Sequence, residues 1–186
     1  MRHLLWLVPV GLLLAAFGAA CGGSERPRTL AEYVDRLDAI FSNTSTRIDD
    51  INAKFEDANT EAETDEEHMD AFRVLFEEMA KAADGVTDQL ESLRPPSPLL
   101  DDEHAELVGS AANVASILED FSRRADESQS LEEMRKLFAE LEDPQYDAAV
   151  LRMGNACGFF ENLATDNGID LELRCSFVDV GTEHSQ

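Results

Sequence analysis

The strongest constraint on this chain is a repeated four-three spacing of apolar residues. From residue 30 onward, apolar or small residues recur at Leu30, Val34, Leu37, Phe41, Thr44, Ile48, Ile51, Phe55 and Ala58. Steps that alternate between four and three keep a seam on one side of an α-helix, whereas a strand would alternate every second residue. A second seam runs Met69, Phe72, Phe76, Met79, Ala83, Val86, Leu90, Leu93, and a third runs Leu100, His104, Leu107, Ala111, Val114, Leu118, Phe121, Ala125. Each stretch of about 30 residues extends roughly 45 Å as a helix. None can bury its seam alone, and short connections make consecutive helices antiparallel neighbours.

The boundaries carry their own chemistry. Thr29-Leu30-Ala31-Glu32 and Thr64-Asp65-Glu66-Glu67 read as capping boxes, in which hydroxyl and carboxylate satisfy the first free N–H groups. Arg94-Pro95-Pro96-Ser97-Pro98 breaks the second helix. Ser97 is expected to cap the third, with Pro98 in its first turn. Ser130-Leu131-Glu132-Glu133 opens a short fourth helix through Leu141, and Asp143-Pro144 starts a fifth with the seam Tyr146, Val150, Met153, Cys157, Phe160, Ala164. Asn167-Gly168 ends it, as Gly does at helix C-termini. The predicted fold is all-α. It is an antiparallel bundle of three long helices plus a broken fourth side, spanning residues 29–178, with a flexible tail at 179–186.

Charge narrows the partners. The whole chain carries a formal −24, and such a surface keeps a protein soluble and self-repelling. Nucleic acid is excluded as a partner class, because its binding depends on neutralising phosphates with Lys and Arg. Anionic lipid headgroups would repel the protein as well. With 44% hydrophobic residues, the chain still has enough apolar surface to fold.

The N-terminus supplies a location. Arg2 precedes an apolar run from Leu4 to Phe17, then Gly18-Ala19-Ala20-Cys21 and Gly22-Gly23-Ser24. The run is short for a transmembrane helix, and its layout matches a removable export signal. This pattern resembles the bacterial lipoprotein signal peptide, although Gly18 stands where that family favours Leu. The resemblance implies cleavage of residues 1–20 and lipidation of Cys21, with residues 21–28 as a tether. Cleavage removes one basic residue and no acid, so the mature chain is one charge more negative. Ordinary cleavage after Ala20, giving a secreted protein, is the alternative. A retained anchor is a third reading, disfavoured by Pro9 and Gly11.

The three cysteines fit lipidation. With Cys21 lipidated, Cys157 and Cys175 remain as an even pair, and exported proteins tend to pair their cysteines. A Cys157–Cys175 disulfide would pin the short Leu171–Val178 segment. Cys157, the Gly168-Ile169-Asp170 turn and Cys175 together resemble the C-terminal pattern of uncharacterised helical lipoproteins of high-GC Gram-positive bacteria. That resemblance implies location and shape only.

Two spacings invite a metal reading. Asp65-x-x-His68 and Asp101-x-x-His104 each place two metal-capable side chains on one helical face, as di-metal bundles do with Glu-x-x-His. Both open their helices, so an antiparallel bundle holds them at opposite ends, about 40 Å apart. The seams also lack inward Glu ligands. Acids at helix starts are accounted for by the macrodipole. His104 interrupts an apolar seam and is expected to be a satisfied structural histidine at the bundle's edge, bonded to backbone or a carboxylate. His104 and Asp101 remain the metal candidates. No spacing assembles a nucleophile, base and acid, and no cofactor motif is present.

The expected protein is a lipid-anchored, extracytoplasmic binding or scaffolding bundle without catalytic activity. It would meet the membrane through its lipid and an envelope protein or small ligand through its surface. The alternative is a metal- or small-molecule-binding bundle serving a transporter. An enzyme is the third reading.

Overall fold

A computed structural model describes residues 27–140, 144–170 and 173. Five α-helices account for nearly all of them: α1 Leu30–Glu61, α2 Asp65–Ser92, α3 Asp101–Glu127, α4 Leu131–Ala139 and α5 Pro144–Asp166. No strand occurs among the described residues. The protein is an all-α helical bundle.

The helix starts follow local hydrogen-bond chemistry. Thr64 closes a full capping box: its hydroxyl accepts from the Glu67 N–H at 3.2 Å, and the Glu67 carboxylate accepts from the Thr64 N–H at 2.9 Å. Thr29 caps the Glu32 N–H at 3.1 Å, but the Glu32 carboxylate reaches one residue further back, to the Arg28 N–H at 2.7 Å. Ser130 and Glu133 repeat that shifted arrangement with the Gln129 N–H.

The α2–α3 junction departs from the sequence expectation. Ser97 accepts from the Leu99 N–H at 3.3 Å and opens a 3-10 turn, Pro98–Leu100; α3 starts only at Asp101, without a side-chain cap. The proline-rich break thus spends one turn redirecting the chain, and Leu99 is left exposed. At its other limit, α5 ends in a Schellman motif. Gly168 has φ +72°, and the Ile169 N–H donates to the Ala164 carbonyl and the Gly168 N–H to the Thr165 carbonyl, both at 2.9 Å. Glycine is suited to that left-handed position because it has no Cβ to clash. The turn returns Ile169 and Leu173 to the core.

Packing runs in a ring: α1 against α2, α2 against α3, α3 against α5, and α5 back to α1. The two short helices share the fourth side unequally. α5 fills it lengthwise, whereas α4 packs on α2 and α3. There Phe138 of α4 meets Phe55 of α1 and Phe72 and Phe76 of α2, with ring centroids 6.4, 5.5 and 6.4 Å away. These aromatic contacts close the end of the bundle where α1 ends and α2 begins.

The seams form the core, with additions. Tyr33, Ile40, Leu75, Ala82 and Ala115 flank them and are also buried, so each apolar stripe is broader than a two-per-heptad seam, as a globular bundle requires. Thr44 is tolerated inside because its hydroxyl donates to the Ile40 carbonyl at 2.7 Å. One part of the first seam is not covered. Phe55 is only half-buried and Ala58 is exposed. α1 is the longest helix at 32 residues, and its last turns have α2 beside them without a complete ring around them.

Candidate functional site

The most elaborate polar arrangement lies at the end where α1 and α3 begin and α2 finishes. His104 sits on the first turn of α3 and is 7% exposed. The Tyr33 hydroxyl, from the first turn of α1, lies 2.8 Å from its Nδ1. The two rings meet edge-on at 5.9 Å, and Phe160 of α5 packs on Tyr33 at 5.4 Å. Burial pushes the His104 pKa below its ordinary value; the backbone at Leu90 and Leu93 opposes that shift by hydrogen bonding, Arg94 adds to it and Asp101 opposes it.

Backbone groups that favour protonation of an imidazole must be carbonyls accepting from a ring N–H. With Nδ1 turned to Tyr33, that N–H is on Nε2. Burial also raises the Tyr33 pKa, so its O–H stays protonated beside Nδ1. His104 therefore bridges elements: its Nδ1 is hydrogen-bonded to Tyr33 of α1, and the backbone at the last turn of α2 lies close enough to influence its charge. The final carbonyls of a helix have no intrahelical partner, and a histidine beside them satisfies that need. Tyr33 in turn carries Phe160 of α5 against it, so residues from α1, α3 and α5 meet beside the end of α2. Its Nδ1 is engaged by Tyr33.

His68 occupies the opposite end. Its Nδ1 lies 2.8 Å from Asn59 Oδ1, across the α1–α2 turn. The two histidines are separated by the length of α2, about 40 Å for its 28 residues. Among the described residues, no group of three or more His, Cys, Asp and Glu side chains is placed to hold a metal ion. Asp101 flanks His104 as a charge rather than as a partner in a ligand set. Two atoms of α3, Ser110 Oγ and Glu103 Oε2, are buried without a hydrogen-bond partner. A serine with no base bonded to it is not an activated nucleophile.

Cys157 is fully buried on α5. No disulfide joins two described residues; Cys157 is held in one whose other half falls outside them. Cys21, the signal segment 1–20 and Cys175 all lie outside the described residues, as do most of the Leu171–Val178 segment and the 179–186 tail. Among the described residues, no helix is long and apolar enough to cross a membrane.

Three recesses accompany these groups. A void of about 20 Å³ lies mid-bundle between Thr44, Met79, Val86, Ala111 and Tyr146, which is room for about one water. An open recess of about 940 Å³ flanks His104, between Glu91 and Arg94 of the α2 end and Ala105 and Gly109 of α3. At the far end, a groove of about 680 Å³ runs between α1 and α2. Its floor is Ile51, Phe55, Ala58, Ala71, Val74 and Leu75; Lys54, Glu61, Asp70 and Glu78 stand at its edges. Val74 is 56% exposed there.

His104 announces itself in the sequence as a polar interruption of a seam. Tyr33 does not, because it sits beside seam residue Val34 and only the width of the buried stripe brings it inward. The groove is hidden for a different reason: its floor continues the same spacing that elsewhere forms core. No family model, no curated protein and no solved structure matches the chain.

Proposed function

We propose that this is a lipid-anchored extracytoplasmic protein that binds or scaffolds a partner and carries out no chemistry itself. The observation that carries this reading is the run Leu4–Phe17 ending in Gly18-Ala19-Ala20-Cys21. The helical part starts at Leu30, so residues 21–28 span at most about 28 Å when extended. That holds the Tyr33–His104 end next to the membrane and directs the α1–α2 turn outward. Support for a non-catalytic role comes from the two described histidines inside the bundle, whose hydrogen bonds serve helix ends and a turn.

Cargo delivery to a transporter would require a polar cluster with free donors inside one end. At His104 the Nδ1 is taken by Tyr33, and no group of three or more metal-capable side chains gathers around it among the described residues, so that reading gains no support.

Within the same proposal, Cys175 is the partner of Cys157. Cys21 is committed to lipid, and Cys175 follows the Gly168 turn that reverses the chain. Closing such a loop stabilises by about 3 kcal/mol in the chain-entropy account. Intact-mass analysis after alkylation without reductant should show no free thiol at either position; two alkylated cysteines would refute the pairing.

The anchoring is tested by fractionation. Cys21→Ala should move the protein from the membrane fraction to the soluble or secreted fraction. A variant that stays membrane-bound after a high-salt wash would mean that the apolar segment, and not lipid, holds it.

A further inference from the structure

We propose that the groove between α1 and α2 at the α1–α2 turn is a docking site for a basic amphipathic helix of a partner protein. The inference rests on the binding role proposed above and names the partner's chemistry.

Three observations converge on the groove. The first is an apolar floor that the bundle covers only in part: Ile51, Ala71 and Leu75 are buried beneath it. The seam of α1 continues through Phe55 and Ala58, yet Phe55 is half-buried, Ala58 is exposed, and Val74 on the facing helix is 56% exposed. An apolar strip open to water is unfavourable unless something covers it. The second is shape. Floor residues from Ile51 to Ala62 cover roughly 16 Å of helix, about three turns. They alternate in fours and threes, the surface that accepts the ridges of another helix. Ala58, Ala62 and Ala71 are small, which permits close approach of a backbone.

The third is charge. Residues 56–70 contain eight acids and no Lys or Arg. At the groove itself Lys54 faces Glu61, Glu67, Asp70 and Glu78. Some of these carboxylates have local partners: Asp70 pairs with Arg73, and Glu78 with Lys81 and Arg47. Glu67 is held ionised by its backbone and hydroxyl bonds at the capping box. Glu61 and the acids on the turn add to a field that attracts cations and repels a second copy of this chain. Apolar contacts then supply affinity, while the acidic edges select the partner and speed encounter.

The test uses the protein as it accumulates in cells, so its outcome does not depend on how the chain is anchored. The probe is a fluorescent helical peptide of about 14 residues, with Leu at four-three spacing and Lys on the flanks. Binding should be saturable, weaken with added salt, and fall by about tenfold or more for Val74→Asp. Val74 is exposed, so that variant keeps its helical circular dichroism. A peptide with Glu in place of Lys should not bind. Equal binding of a scrambled Lys-Leu peptide would reduce the effect to nonspecific attraction and overturn the proposal, as would full affinity in Val74→Asp. Self-association of the wild type that Val74→Asp abolishes would assign the groove to a second copy and overturn it too. Membrane release of Cys21→Ala reads anchoring alone, so the two failures are distinguishable.

Discussion

The two ends of the bundle are closed by different physics. At the end where the chain enters, a polar node does the closing: Tyr33 and His104 hydrogen-bond beside the terminal backbone of α2, with Phe160 packed on Tyr33. At the far end, Phe55, Phe72, Phe76 and Phe138 meet ring to ring beneath α4. The polar node is directional and specifies a single register of α1, α2 and α3. The aromatic end gains more from burial and is less particular, so it tolerates an overhanging α1 and an uncovered groove beside it. Both ends carry an open recess, but the one beside the aromatic end has an apolar floor, which is the surface that suits a helical partner.

The largest expected effect is at the aromatic end. Phe76 is 1% exposed, and Phe76→Asp buries an unpaired charge among rings. Destabilisation of several kcal/mol is expected, on the order of 4 or more, read as a lowered denaturation midpoint. An unchanged midpoint would show that this end does not carry the stability assigned to it.

The polar node should respond differently, because its cost lies in leaving a group unpaired. Tyr33→Phe removes the donor to Nδ1 and should cost about 1–3 kcal/mol. The double variant Tyr33→Phe with His104→Leu removes both partners at once. It should therefore cost less than the two single changes added together, and denaturant titration of the four proteins gives that coupling. Additive losses would mean that the two rings merely pack.

The same node sets a pH dependence. The His104 pKa is lowered in the folded protein, so the unfolded chain binds the proton more readily. The contribution is complete above the ordinary histidine pKa of about 6.5. It is lost as pH falls through that value toward the folded one, at no more than ~1.4 kcal/mol per pH unit. The carboxylates held low by their partners, Glu67, Glu78 and Glu132, lose their own contribution over a more acidic range, and they do so in wild type and variant alike. The difference between wild type and the double variant isolates the histidine, and that difference should shrink on acidification. A difference independent of pH would contradict a buried neutral His104. The smallest effect belongs to the groove: Val74→Asp should change stability by at most about 0.5 kcal/mol, since Val74 is 56% exposed.

Much of this was legible in the sequence because it is periodic or local. The three long seams, the Thr64 capping box, the Pro144 start of α5 and the Gly168 stop all rest on residues close together in the chain. What was not legible is tertiary. Ser97 was expected to cap α3 but caps a 3-10 turn, because the steric effect of three nearby prolines on the path cannot be deduced from pairwise spacing. His104 was marked by its misfit, yet its partner Tyr33 lies 71 positions away, and no local pattern links them. Ala58 fits the seam as well as any core alanine. Whether it is covered depends on how far the other helices reach, and that is settled by α4 turning across the end of the bundle.

Near and far ends have biological meaning only if the chain is attached through Cys21. The most direct measurement is therefore the mass of the N-terminal peptide of the purified mature protein. The account predicts a chain that begins at Cys21 and carries covalent lipid on that residue. A chain beginning at an unmodified Cys21, or one that retains residues 1–20, would contradict it.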